Sequence, residues 1–391
     1  MSLDLIARTV RGVEYVAADE ISSALSPGRL VMQPREVVFS LDEPVPALVE
    51  LRTVDDLFLA VGSGPDLGHR KDVVPQLAER AVGYDWRSAV DAVATVRELP
   101  GHRHFDVVAS LLGRRNYSRY DVEDAVGTAL AKPLGARYVS RRDSPAQLPP
   151  VDLSVRVFIS ADTTQFALRL AAGPLHRRRY KQDASRGTLH PPMAAAMARL
   201  LLPATGQHVL DPFCGDGTIP IETAAIAPDA EIAGSDNDPE RIRNARANAT
   251  RAQARVAFTV ADAGRLDLAR GSVDLLLTNP PWNVAVEASG SLSRGFDPFW
   301  DHLADAFSDS ARACLIMDAE LEAVKALEAR GYRIALAQQV RLAGRLSQLV
   351  VCTPSGRPAW PLPQPLAEQR RHALAAGLTT ETGFGSVGKG V

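Results

Sequence analysis

Three aspartates, Asp211, Asp236 and Asp262, each close a short apolar run. Asp211 follows Val209-Leu210 and opens the turn Pro212-Phe213-Cys214-Gly215-Asp216-Gly217-Thr218. Gly215 and Gly217 permit close approach of a ligand to the backbone. The turn lacks the Gly-Lys-Ser/Thr ending of a phosphate loop, and Pro220 stands where G-x-G-x-x-G needs its third glycine. Asp211 would repel a pyrophosphate; it suits a ligand with a positive ammonium group. Asp236 follows Gly217 by 19 residues, where a carboxylate accepts hydrogen bonds from ribose hydroxyls. Asp262, at the end of a third run, is placed to meet an adenine amino group. Singly, each acid reads as a cap or a surface residue. As a set at consecutive strand ends, they describe a site for a molecule such as S-adenosylmethionine.

A second constellation is Thr278-Asn279-Pro280-Pro281-Trp282, after the run Val273–Leu277. The two prolines stiffen the backbone. The Asn279 side chain and the Pro280 carbonyl are acceptors, and Trp282 offers a flat face. Together they suit a planar aromatic amine. Its lone pair is conjugated and weakly nucleophilic, so holding both N–H bonds directs that pair towards an electrophilic methyl group. Such catalysis is mainly positioning and electrostatics.

These residues require a particular scaffold. From about His208 the chain alternates short apolar strands (209–210, 231–234, 255–260, 273–277, 312–317) with helical stretches (219–227, 240–251, 298–309, 321–330). Residues 332–342 and 345–352 around Ala343-Gly344 read as an antiparallel hairpin. The pattern predicts an α/β fold, a parallel doubly wound sheet with an antiparallel edge. The N-terminal part reads as α+β: strands at 4–10 and 35–40 around a helix at 13–25, then 55–61 and 73–81. A strand at 92–97, a helix at 122–130 and strands at 153–159 and 164–170 follow. Pro191-Pro192 opens a helix to about Leu202. The expected organisation is 1–96, 97–186, 187–354, and a tail at 355–391 that is Pro- and Gly-rich and only partly ordered.

The net charge of −2 conceals an asymmetry. Residues 1–96 carry nine Lys/Arg against fifteen Asp/Glu, and residues 97–186 carry sixteen against nine. The basic segment 97–186 holds arginines interleaved with Tyr117, Tyr120, Tyr138 and Tyr180, and ends on Arg177, Arg178 and Arg179. It suits a polyanion, because the arginine fork donates two hydrogen bonds to one phosphate. Three cysteines in 391 residues build no disulfide framework, which suits a reducing, cytoplasmic setting. No run approaches the ~18 apolar residues of a membrane helix. The His102/His104 pair lacks further ligands, so no metal is expected.

The stretches DPFCGDGTIPIE (Asp211–Glu222) and TNPPW (Thr278–Trp282) resemble the signatures of class I S-adenosylmethionine-dependent methyltransferases, and within them the THUMP-domain RNA guanine-N2 methyltransferases. Residues 5–21, 97–130, 153–181 (ending GPLHRRRYK) and 188–202 are also similar to that group, so the likeness covers most of residues 1–353. It implies a ferredoxin-like and THUMP-type region before a Rossmann-like catalytic domain, and tRNA as the partner of the basic segment. It also implies cofactor contacts from Asp211, Gly215, Gly217, Asp236 and Asp262, and a guanine held by Asn279, Pro280 and Trp282. The family usually has Tyr and Gly after the prolines; here Trp282 and Asn283 stand there. Three other activities share parts of this pattern: methylation of adenine N6, methylation of a protein glutamine, and RNA binding by a non-catalytic adaptor.

Overall fold

A computed structural model describes residues 2–142, 150–160, 162–185, 187–281, 291–292, 295, 297–319, 323–342 and 344–380. Two sheets organise these residues. The first contains β1 Leu3–Thr9, β2 Arg29–Gln33, β3 Glu36–Leu41, β4 Val54–Pro65, β5 His104–Leu111, β6 Arg137–Tyr138, β7 Leu153–Ile159 and β8 Thr163–Arg169. Their order is β2-β3-β1-β4-β8-β7-β5-β6. Strands β4 and β8 pair antiparallel, from Phe58 opposite Arg169 to Pro65 opposite Thr163. Segments 1–96 and 97–186 therefore share one sheet.

Alternate residues of these strands face helices α1 Glu14–Leu25, α2 Val74–Val82, α3 Trp86–Val96 and α4 Arg119–Leu134. Leu5, Ala7, Leu57, Leu59, Val155 and Val157 join Ile21, Leu77, Val93 and Val126 in one core, as the two-residue period of a strand requires. Residues 92–97, expected as a strand, are helical up to Val96. Asp85 caps that helix by accepting from the Ser88 N–H, and Ala89, Val90, Val93 and Val96 form its buried face. A short apolar run satisfies both periods, and the spacing from Trp86 onward decides for the helix.

The second sheet contains β9 His208–Asp211, β10 Glu231–Asp236, β11 Ala257–Val260, β12 Val273–Thr278, β13 Phe307–Asp318, β14 Arg333–Leu342 and β15 Arg345–Thr353, in the order β11-β10-β9-β12-β13-β15-β14. Strands β9 to β13 are parallel, and β15 is antiparallel to both neighbours. Val209, Ile232, Leu275, Leu277 and Ile316 point to one face, with Met193 and Leu200 of α5 Pro191–Leu201 and Ile219 of α6 Thr218–Ile226. Leu210, Leu276, Ala313 and Leu315 point to the other, with Phe299 and Leu303 of α8 Asp297–Ala306. Burial on both faces explains the continuous apolar runs. Helix α7 Pro239–Ala252 packs its Ile242 and Ala245 on Phe258 of β11, and α9 spans Ala323–Ala329. The helix expected to run to Asp309 stops at Ala306, because Phe307 already pairs with Val273 of β12.

Two features join the halves. The chain beyond Ser355 forms α10 Gln364–Ala375, whose Leu366 and Ala373 are buried and which packs on α1; residues 381–391 lie outside the described residues. Tyr15 donates to Gln338 Oε1 (3.2 Å), and Gln338 Nε2 donates to the Gly12 carbonyl (2.6 Å), so the end of β1 is tied to β14. Strand order reverses at β9, between β10 and β12. In such sheets a crevice opens there, beyond the carboxyl ends of the strands. Among the described residues no helix is long and apolar enough to cross a membrane.

Candidate active site

A cavity of about 1240 Å³ occupies that crevice. Its wall includes Asp211, Gly215, Asp236, Asp262, Asn279 and Pro280, all singled out in the sequence. Trp282 lies outside the described residues.

Asp211 ends β9 and is 2% exposed. Its Oδ1 accepts from the Thr278 hydroxyl at 2.7 Å and from the Phe213 N–H at 3.2 Å. Its Oδ2 is buried with no hydrogen-bond partner among the described residues. Burial pushes the carboxyl up to about 7. A buried carboxylate with one unsatisfied oxygen is a receptor for a cation.

Asp236 ends β10. Its Oδ2 accepts the Gly215 N–H and its Oδ1 the Asp238 N–H, both at 3.0 Å. Burial raises its pKa against those bonds. Each carboxylate oxygen retains capacity for a further donor, as a ribose diol requires. Asp262 accepts from the N–H groups of Gly264 (3.0 Å) and Ser291 (2.8 Å) and from the Ser291 hydroxyl (2.7 Å). Those bonds hold it below its ordinary value, although burial works the other way.

The two glycines differ in purpose. Gly215 has φ +52° and is part of the cavity wall. Gly217 has φ +86° and is not; a Cβ there would stand 3.0 Å from Ala245 Cβ and from Phe258 Cζ. Gly217 thus starts α6 and lets α7 and β11 close on the turn.

Asn279 follows β12 directly, and its Oδ1 is buried without a partner among the described residues. Two orphan acceptors, Asp211 Oδ2 and Asn279 Oδ1, thus belong to groups on one cavity wall. Buried acceptors of this kind are seldom left unmatched in a folded protein.

Sequence reasoning missed the residues that brace the turn. Asp216 accepts from the Ser185 N–H and hydroxyl, the Thr188 hydroxyl and Asn244 Nδ2. Glu222, fully buried on α6, receives Arg52 Nε (2.9 Å), Arg178 Nε (3.0 Å) and the Tyr180 hydroxyl (2.7 Å). Both acids stand within the quoted glycine stretch, but their partners are far away in sequence.

The second network also corrects the reading of the arginine cluster. Arg177 and Arg179 are exposed, whereas Arg178 is 10% exposed and paired to Glu222. Four more arginines of 97–186 are paired: Arg141 with Asp106 and Arg142 with Asp121 and Asp124 inside the segment, and Arg115 with Asp66 and Arg169 with Asp56 of residues 1–96.

Comparison with known proteins agrees with this geometry. Residues 178–348 match the model of UPF0020, the RMKL-like methyltransferase domain. Over 241 residues the chain is 31% identical to a tRNA (guanine(6)-N2)-methyltransferase of Thermus thermophilus. That alignment spans 61% of this chain and 65% of the relative. The solved structure of TrmN from Thermus thermophilus superposes with a TM-score of 0.71 at 24% identity, covering 90% of this chain and 99% of that one. A putative methyltransferase complexed with SAH gives 0.66 at 17% identity, covering 92% and 99%. Strand order and the crevice at the switch point agree with the similarity of residues 178–348 to the UPF0020, RMKL-like methyltransferase domain.

Proposed function

We propose that the chain is an S-adenosylmethionine-dependent methyltransferase acting on the exocyclic N2 amine of a guanine in tRNA. The observation that carries this reading is the pair of acceptors on the cavity wall that lack a partner among the described residues. Asp211 Oδ2 is matched to an ammonium group and Asn279 Oδ1 to an amine N–H. The named tRNA guanine-N2 relative supports the choice of substrate.

The residues present fit the cofactor. Asp211 takes the amino group, Gly215 lies against the methionine part, Asp236 accepts from the ribose and Asp262 meets the adenine. When bound, S-adenosylmethionine supplies an electrophilic methyl group. Asn279 Oδ1 and the Pro280 carbonyl accept the two N–H bonds of the target amine, and Trp282 stacks on its ring. Pro280 and Pro281 keep the loop from relaxing as charge develops on the nitrogen. Both acceptors are amide oxygens, which are weak bases. They orient the amine without taking its proton, which would leave to water once the nitrogen–carbon bond has formed and the sulfur–methyl bond has broken, the sulfur keeping that electron pair as a neutral thioether. The N-terminal sheet and its helices serve as the THUMP-type RNA-binding region, with 1–96, 97–186 and 187–354 as successive functional segments. The target base is extruded from its stack into the cavity.

The deciding experiment is methyl transfer from labelled cofactor to bulk tRNA, followed by nucleoside mass spectrometry. N2-methylguanosine is expected. Label found only on adenosine N6, or only on protein, would overturn the substrate assignment.

A further inference from the structure

The cavity is lined by groups of both charges. Besides the carboxylates of the strand ends and the basic residues Arg177, Arg178, Lys181 and Arg241, its lining includes four arginines that belong to neither the basic segment nor the parallel strands. Arg11 follows β1, Arg35 sits in the β2–β3 turn, and Arg341 and Arg345 flank the tip of the β14–β15 hairpin. All four line the cavity and all four are exposed.

Their backbones are fixed by a shared device. Glu14, 1% exposed, accepts the Gly12 N–H on Oε2 and the Arg35 N–H on Oε1, each at 2.8 Å. Thr9 N–H donates to the Arg35 carbonyl at 2.9 Å. Arg35 is held at φ +66°, a left-handed conformation that non-glycine residues seldom adopt and that marks a constrained position. The Gly12–Gln338–Tyr15 hydrogen bonds then fix this pair of turns to β14, the strand that carries Arg341. On the hairpin, Arg341 donates to the Gly344 carbonyl at 3.2 Å and Arg345 to Asp318 at 3.3 Å. Two pairs of arginines from opposite ends of the chain are thereby brought to one cavity.

The cofactor does not account for them. S-adenosylmethionine carries one carboxylate and no phosphate, so four guanidinium groups exceed what it needs. A nucleotide entering the cavity brings its flanking phosphodiesters to the mouth, and the guanidinium fork fits those oxygens. We infer that Arg11, Arg35, Arg341 and Arg345 form a phosphate-binding rim for the RNA strand on either side of the target nucleotide. The inference rests on the RNA-methylating reading and adds to it an RNA contact outside residues 97–186.

The test uses the full chain and two independent double variants, Arg11→Gln with Arg35→Gln, and Arg341→Gln with Arg345→Gln. Each is titrated with a tRNA transcript across a range of salt, with S-adenosylmethionine by calorimetry, and assayed for single-turnover transfer. Both variants should bind RNA more weakly and lose about 1 from the salt slope per arginine removed, with cofactor affinity unchanged. If the wild type methylates tRNA while both variants keep its affinity and slope, the rim is wrong and the function stands. Weaker cofactor binding with an unchanged slope likewise overturns the rim. If the wild type methylates no tRNA, the functional reading fails and binding alone judges the rim: a slope lowered in the variants sustains it, and no RNA binding overturns it.

Discussion

Asp211 is a residue on which pH near neutrality acts directly. Burial raises its carboxyl to about 7, above the ordinary aspartate value of roughly 3.9 in an unfolded chain. Between those values the unfolded form binds fewer protons than the folded one, so in the ligand-free protein this group loses stability as pH rises from about 4 to 7. Cofactor binding has the opposite sign. An ammonium group needs the carboxylate, so affinity should rise from pH 6 to pH 8, with proton release on binding below pH 7. Calorimetry in buffers of different ionisation enthalpy measures that release; Asp211→Asn should abolish it and weaken binding throughout. Asn279 acts on the rate. Its Oδ1 is proposed to meet an N–H whose donor strength grows in the transition state, and only such interactions lower the barrier. Asn279→Ala should keep near-native affinity for cofactor and RNA while single-turnover methylation falls by about 10²–10³, the usual loss for one preorganised group. Rapid-quench assays at saturating enzyme check this.

Among the elements, α6 holds the cofactor turn in place, and Glu222 fixes α6. One carboxylate gathers Arg52 from the segment before β4, and Arg178 and Tyr180 from the linker. Removing one partner of a buried ionic cluster typically costs about 3–5 kcal/mol, because the remaining charges stay desolvated. Glu222→Gln should therefore lower the unfolding free energy by roughly that amount in denaturant titrations, and the loss should far exceed that from a rim-arginine variant. This element also shows what a sequence discloses. The parallel strands were legible because burial on both faces writes continuous runs such as Val273–Leu277. The three acids and Asn279 were legible because strand ends in such a sheet share one edge. Glu222 appeared within the same glycine stretch, yet nothing local signals that its partner Arg178 stands 44 residues before it. Arg178 looked like its exposed neighbours for the same reason. The segment 92–97 misled because the three-to-four-residue spacing that makes it helical begins at Trp86, before the window.

In the whole molecule, the cavity wall is assembled from the β1–α1 turn, the linker, the parallel strands and the edge hairpin, so its shape depends on how the N-terminal unit docks. Gly12 marks a close approach: it has φ +99°, and a Cβ there would lie 2.7 Å from the Gln339 carbonyl oxygen. Gly12→Ala adds strain at a left-handed backbone and forces the turn away from β14. It should leave the strand-end acids intact and preserve cofactor affinity. RNA affinity should fall, and hydrogen exchange should speed up in residues 10–16 and 336–340. Protection in those two segments equal to the wild type would show that the contact does not hold the units together.

The packing of α1 on α10 also sets an order of events during synthesis. Tyr15 finds its hydrogen-bond partner 323 residues later in the chain, and α1 finds part of its apolar cover in Leu366 and Ala373. Until residues 364–375 have been made, the part of α1 that packs on α10 lacks that cover, although α5 already stands against it. Full cover of α1 therefore requires the chain to have been made as far as Ala373.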